Sequence, residues 1–211
     1  MKVTLITNTL NAEEVCGQAA AVSTGTKNIK SALRNALASG HTSVLEHAVY
    51  TFRVEGLSRA ALAQLTRHRL ASFVVQSQRY VKLKDAEMVM PESIASSEFS
   101  EEAKKTMAGA FELYQRMTEA GIPYEDARYV IPQAVETDLV MTMNARELLH
   151  FFSLRMCNRA QWEIRKLAEE MQRICKKSAP LIFEKAGPGC VRGHCPEKKP
   201  CGKVKTNDKE N

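Results

Sequence analysis

Arg67-His68-Arg69-Leu70-Ala71-Ser72-Phe73-Val74-Val75-Gln76-Ser77-Gln78-Arg79-Tyr80 gathers three arginines, a histidine, two serines and two glutamines into fourteen residues. An amphipathic helix would carry an apolar stripe through such a run, yet only Leu70, Ala71, Phe73, Val74 and Val75 are left for packing. The valines at 74, 75 and 81 make residues 72–82 read as strand and loop. Guanidinium forks match phosphate oxygens two at a time, so Arg67, Arg69 and Arg79 suit an anion. On charge alone the run fits either a phosphate site or the solvated end of a basic helix.

The flanking sequence frames this run. Upstream, Ser58 is placed to cap a helix whose packed stripe is Leu57, Ala61 and Leu65. On it Gln64 lies one turn before Arg67 and His68, so the three project near one end, within reach of one ligand. Residues 48–55 alternate Val49, Thr51 and Arg53 against Tyr50, Phe52 and Val54, which predicts a half-buried strand ending at Gly56. Lys2 to Asn8 predicts an opening strand, Glu13 to Ser23 and Asn28 to Ser39 two short helices, and Gly40 the stop of the second. Downstream, residues 84–98 read as irregular, followed by a long helix from Phe99 to about Gly121 and a strand from Val135 to Met143. Two helices then follow, Asn144 to Cys157 and Ala160 to Lys177, with Asn158 as the break.

These elements predict an α/β (α+β) fold, a central, mostly antiparallel sheet flanked by helices in one domain over residues 1–186. From Gly187 to 211 the composition turns to Gly, Pro, Lys and Cys without apolar periodicity, the pattern of a flexible tail. A 211-residue chain with 44% hydrophobic residues supports one sizeable core. The net charge of +6 suits anionic small molecules as well as nucleic acid. No apolar stretch approaches the roughly 20 residues that a bilayer needs, and the N-terminus lacks the apolar run of a signal peptide, so a cytoplasmic protein without membrane contact is expected. Cys16, Cys157 and Cys175 are expected to be reduced, mostly buried thiols.

Metal signals are weak. His41, Glu46 and His47 lack the i, i+4 histidine spacing of a helical zinc site. Cys190, His194, Cys195 and Cys201 lack a Cys-x-x-Cys pair, so they read as a thiol-bearing tail and no metal is assigned.

Arg67-His68-Arg69, seven further residues and then Ser77, with Ser72 and Arg79 also in place, resembles the signature of the flavin-dependent thymidylate synthases, the ThyX family. Gly40 to His47 is similar to the segment before that signature, and Ser58-Arg59 with Gln64 to the helix that leads into it. Arg128 with Pro132, Asn144-Ala145-Arg146, Arg155 and Ala160-Gln161-Trp162-Glu163-Ile164-Arg165 follow in family order, so the likeness spans nearly the whole chain.

The resemblance implies conversion of dUMP to dTMP, with FAD as cofactor, NADPH as reductant, methylenetetrahydrofolate as carbon donor and a homotetramer whose sites form where subunits meet. It implies FAD contacts for Ser43, Arg67, His68, Arg69, Val75, Asn144, Arg146 and His150, and an active-site position for His41. For dUMP it implies Gln64, Arg67, Val75, Gln76, Ser77, Gln78, Arg79, Arg128 and Arg155. Two positions depart from the family: Val75 stands where a Glu is common, leaving only backbone contacts, and His150 where Asn is frequent. Arg155 is expected at the uracil ring, stabilising negative charge as the N3 proton leaves. Ser77 invites a nucleophilic role, but arginine is too weak a base to take its proton, so it is expected to position dUMP. A second reading is a non-catalytic basic nucleotide- or RNA-binding module. It fits less well, because aromatic content is only 6% and Arg59, Arg67, Arg69 and Arg79 cluster rather than line a face.

Overall fold

In a computed structural model, which describes residues 1–83, 87–193 and 195–201, the chain opens with β1 (Lys2–Asn8), α1 (Ala12–Thr24) and α2 (Ile29–Ala38). A 3-10 helix, Thr42–His47, leads into β2 (Val49–Ser58), α3 (Arg59–Leu65) and β3 (Ala71–Val75). Next come α4 (Glu92–Ala95), α5 (Ser100–Glu119), α6 (Tyr124–Ala127), β4 (Glu136–Asn144), α7 (Ala145–Arg155) and α8 (Trp162–Ser178). The four strands form one antiparallel sheet in the order β1-β2-β4-β3, the expected mixed architecture.

The alternation of β2 is what seats the sheet on its core. Tyr50, Phe52 and Val54 are fully buried while Val49 and Arg53 face out, and Leu139, Met141 and Met143 of β4 repeat the pattern beside them. Phe151, Phe152 and Phe183 pack onto this face, with the rings of Tyr50 and Phe183 edge-on at 5.5 Å. Each such buried side chain contributes roughly 1.5–3 kcal/mol relative to exposure. Ile182, Phe183 and Ala186 belong to this core, so the packed chain continues past the end of α8.

Most element ends fall within about two residues of the sequence reading, and one difference has a clear physical cause. Strand β2 does not end at Gly56 but runs on to Ser58, because Gly56 adopts φ 71° within a register shift between Val54 and Leu57. That left-handed conformation is cheap only for glycine, so the residue is a bulge that bends the strand rather than a stop. Within residues 84–98, read as irregular, the structure has α4 and a bridge from Met88 to Val135. Helix α6 and the 3-10 turn Arg128–Val130 carry no periodic signal, being too short to show one. Residues 84–86 of that irregular reading, and His194 and residues 202–211 of the tail, lie outside the described residues. Among the described residues no helix is long and apolar enough to cross a membrane.

Two strand-to-helix junctions fix the ends of α3 and α7 relative to the sheet. At the first, Ser58 Oγ accepts from the Ala61 N–H at 3.0 Å, capping α3 as expected. The buried Glu163 of α8 accepts from Ser58 N–H at 2.7 Å and Ser58 O–H at 2.6 Å. Two charged hydrogen bonds of this kind, each worth about 1.5–3 kcal/mol, lock the start of α3 to α8. At the second, Asn144 Oδ1 caps α7 through Glu147 N–H at 2.9 Å.

Candidate active site

The ends of α3 and α7 meet at a buried histidine. Chain reversal after Leu65 turns His68 inward to 4% exposure, while Arg67 and Arg69 on either side stay exposed. Glu147, one turn into α7 and equally buried, lies 2.9 Å from His68 Nδ1. On the other side Arg155 Nε, which can only donate, lies 3.1 Å from His68 Nε2. His68 must therefore accept at Nε2 and carry its proton on Nδ1, donating it to Glu147. Burial lowers the His68 pKa below its ordinary value, with the charges of Arg155 and His150 adding to the effect and Glu147 opposing it, which favours the same neutral tautomer. Phe151 closes the histidine edge-on at 5.0 Å.

Arg155 is thus held at two points, Nε on His68 and Nη2 on the Gln64 carbonyl at 3.3 Å. Its Nη1 enters neither bond. Burial lowers the Arg155 pKa, and the neighbouring Arg67 cation lowers it further.

A second pair of arginines repeats this arrangement. A cleft of about 430 Å³ beside α3 is lined by Arg59, Gln78 and Arg128. Burial, then the charge of Arg128, lowers the Arg59 pKa, and its Nε is buried without a hydrogen-bond partner among the described residues. The Arg59 Nη2 donates to the Gln76 carbonyl at 2.8 Å and so fixes the backbone after β3. Like charges held together in partly buried clefts are relieved by an anion. Beyond them Ser77 Oγ accepts from Arg79 N–H at 3.1 Å, and no carboxylate or imidazole hydrogen-bonds it among the described residues. Arg79 pairs with Glu125 and lies over the Tyr80 ring. That ion pair is half-exposed and worth at most about 1 kcal/mol, so it holds Arg79 only weakly.

His41 and Ser43 line a different recess, also about 430 Å³, between α1, α2 and the 3-10 helix after them. Its walls carry the hydroxyls of Ser23, Thr24, Ser31 and Ser39. Arg146 pairs with Glu46 of that 3-10 helix and so joins α7 to it. The structure thus gathers Gln64, His68, His150 and Arg155 at one centre and Gln78 with Arg128 in the adjoining cleft, and sets His41 and Ser43 apart in the recess. Val75 is a half-buried end of β3 facing Leu139.

Three residues of this machinery carry no assignment from sequence: Glu147, Arg59 and Glu125. Glu147 looks like an ordinary acidic residue in a first helical turn, and only its i+3 spacing from the Asn144 cap hints at a fixed position. Ligand-type atoms of His68, Glu147 and His150 lie within 4.8 Å of one another. They do not make a cation site, because both His68 nitrogens are engaged and the Arg155 guanidinium abuts them.

A mixed α/β fold that sets Arg155 on an oriented, buried imidazole and brings Arg59 and Arg128 into one cleft has cationic donors of the kind that suit anions. Residues 4–181 match the family model described as thymidylate synthase complementing protein. A flavin-dependent thymidylate synthase of Geobacter sulfurreducens is 52% identical over 169 residues, covering 78% of this chain and 73% of that protein. One of Pyrococcus abyssi is 48% identical over 181 residues, covering 81% and 74%, and one of Saccharolobus solfataricus 42% over 205, covering 90% and 78%. This chain belongs to the flavin-dependent thymidylate synthase family of enzymes.

Proposed function

We propose that the protein reductively methylates dUMP to dTMP, taking the carbon from methylenetetrahydrofolate and electrons from NADPH through FAD, as a cytoplasmic homotetramer. The observation that carries this reading is geometric: Arg155 is held in place by the buried His68 and the Gln64 carbonyl, and Arg59, Gln78 and Arg128 line one cleft beside α3, so cationic donors are set out for an anionic nucleotide. Gln78 and Arg128 in the cleft, with Arg79, Ser77, Gln76 and Gln64 around it, hold the nucleotide, and Val75 contributes backbone only. The exposed Arg67 and Arg69 suit the flavin pyrophosphate, and the hydroxyl-lined recess at His41 and Ser43 suits a polyhydroxylated chain. Asn144 and Arg146 at the start of α7 and His150 one turn on present the remaining flavin contacts. FAD, when bound and reduced, supplies the hydride. The chain's own contribution is orientation and field: Arg155, held by His68 and Gln64, presents Nη1 to the pyrimidine and stabilises charge left on the ring when N3 loses its proton. Residues 1–186 carry this activity as one domain.

The test of the cofactor assignment is direct. FAD is expected to copurify, and Arg69→Ala to weaken its retention about tenfold or more through loss of a charged phosphate contact. Unchanged flavin occupancy in that variant would remove Arg69 from the cofactor shell.

Assembly follows from what the monomer leaves exposed. Leu70, Val74 and Tyr80 are each more than 70% exposed and lie within the arginine run, and Leu10, Val22 and Tyr129 are more exposed still. Apolar side chains set around a site in this way suit burial by another subunit. Light scattering is expected to give a tetramer, and a monomer with full activity refutes the shared site.

A further inference from the structure

Four of the six cysteines converge on one small cavity, of about 80 Å³, away from the arginine clusters. Cys157 stands two residues past the end of α7, whereas Cys190, Cys195 and Cys201 come from the segment that follows the core. The other two are core residues: burial pushes the Cys16 thiol up to about 11 and raises Cys175 as well, so both are inert.

The segment that carries three of the four has little else to hold it. Between Gly187 and Cys201 the only large apolar residue is Val191, and it is half exposed. The chain nevertheless makes a 3-10 turn, Gly189–Arg192, and returns to the α7–α8 connection. There Arg159 donates to the Lys199 carbonyl and pairs with Glu197 at 3.4 Å. Exposed ion pairs contribute little, and beyond the buried Gly187 and Pro188 the segment has few apolar side chains to offset the cost of ordering its backbone. Small elements that lack a core of their own are stapled by disulfides or metals.

We propose that Cys157, Cys190, Cys195 and Cys201 form a tetrahedral zinc site that clasps the segment after the core onto the C-terminal end of α7. The donor set is all sulfur, the soft set that zinc takes in structural sites. Binding exchanges four S–H protons for one ion: Zn²⁺ and four thiols give a tetrathiolate of net charge −2 and four protons released to buffer. Arg159 lines the same cavity with its ion-pair partner Glu197 and is the cation nearest to hand for that charge if it exchanges one carboxylate for the thiolates. Among the described residues no three of these sulfurs lie within 4.8 Å of one another, so they close on the ion as it binds. The spacing hid the site, since Cys157 comes from another element and neither interval within the segment is Cys-x-x-Cys.

Metal content tests this independently of the thymidylate reading. Full-length protein expressed with added zinc is expected to hold about one zinc per subunit by elemental analysis. Cobalt substitution should give the red-region absorption of a tetrahedral thiolate site, where flavin does not absorb. Cys190→Ser with Cys195→Ser is expected to lower zinc at least tenfold while far-UV circular dichroism reports an intact fold, and Cys16→Ala to retain zinc. The proposal is overturned if reduced, zinc-reconstituted wild-type protein holds a tenth of an equivalent or less. Zinc unchanged in the double variant, or recovery of these thiols as disulfides with no zinc uptake after reduction, overturns it equally.

Discussion

Replacing Arg155 by alanine is expected to lower turnover about 100-fold or more while flavin remains bound. The guanidinium is anchored through Nε and Nη2 to His68 and the Gln64 carbonyl, so it is preorganised, and an interaction with charge that develops on the ring strengthens toward the transition state. Ser77→Ala provides the contrast. The Ser77 hydroxyl accepts from the Arg79 N–H within its own turn, with no base beside it among the described residues, so its loss removes one neutral hydrogen bond to dUMP, about 1 kcal/mol, and raises the dUMP requirement with dTMP formation still measurable. Single-turnover oxidation of reduced flavin, with dUMP and methylenetetrahydrofolate present, separates the two. A pyrimidine adduct on Ser77, or total loss of dTMP in the Ser77 variant with dUMP bound, would make the serine the nucleophile.

Glu147→Ala is expected to cost about 2–3 kcal/mol of stability and at least tenfold in turnover, because it strands the buried His68 N–H and frees the imidazole that anchors Arg155. Glu147 is a positioning residue, and pH distinguishes that role from simple packing. The His68 pKa is lowered in the folded protein, chiefly by burial, so the unfolded chain binds the proton more readily. The contribution of His68 to stability is therefore complete above its ordinary pKa of about 6.5 and is lost as pH falls toward the folded value. Protonation at Nε2 would also set two donors, His68 and Arg155, against each other. Activity should fall on the acid side accordingly. In Glu147→Gln an acceptor remains but the charge that holds the His68 pKa up is gone, so the acid limb should move to lower pH. An unmoved limb in that variant, measured on kcat/KM, would sink the assignment.

Several parts of this arrangement were legible before folding. The alternation of residues 49–54 names its buried face because strand periodicity is local, and Ser58 announces a helix start because capping uses a side chain and an N–H three residues apart. The cationic character of the arginine run, with Arg128 and Arg155 after it, is legible for the same reason: charge is carried by residue type. Gly56 shows the limit within one element, since a glycine that ends a strand and one that bulges it have the same sequence, and only pairing with β4 decides.

The sequence by itself therefore determined the longer periodic elements, their core faces and the cationic character of the arginine run, all properties written within a few residues. Tertiary structure alone decided that His68 turns inward to a carboxylate 79 residues away, that Arg59 faces Arg128, and that Cys157 meets the cysteines beyond the core. Those partnerships depend on how β2 and β4 pair and where α3, α7 and α8 then lie, and burial and Coulomb terms act through distance in space rather than along the chain.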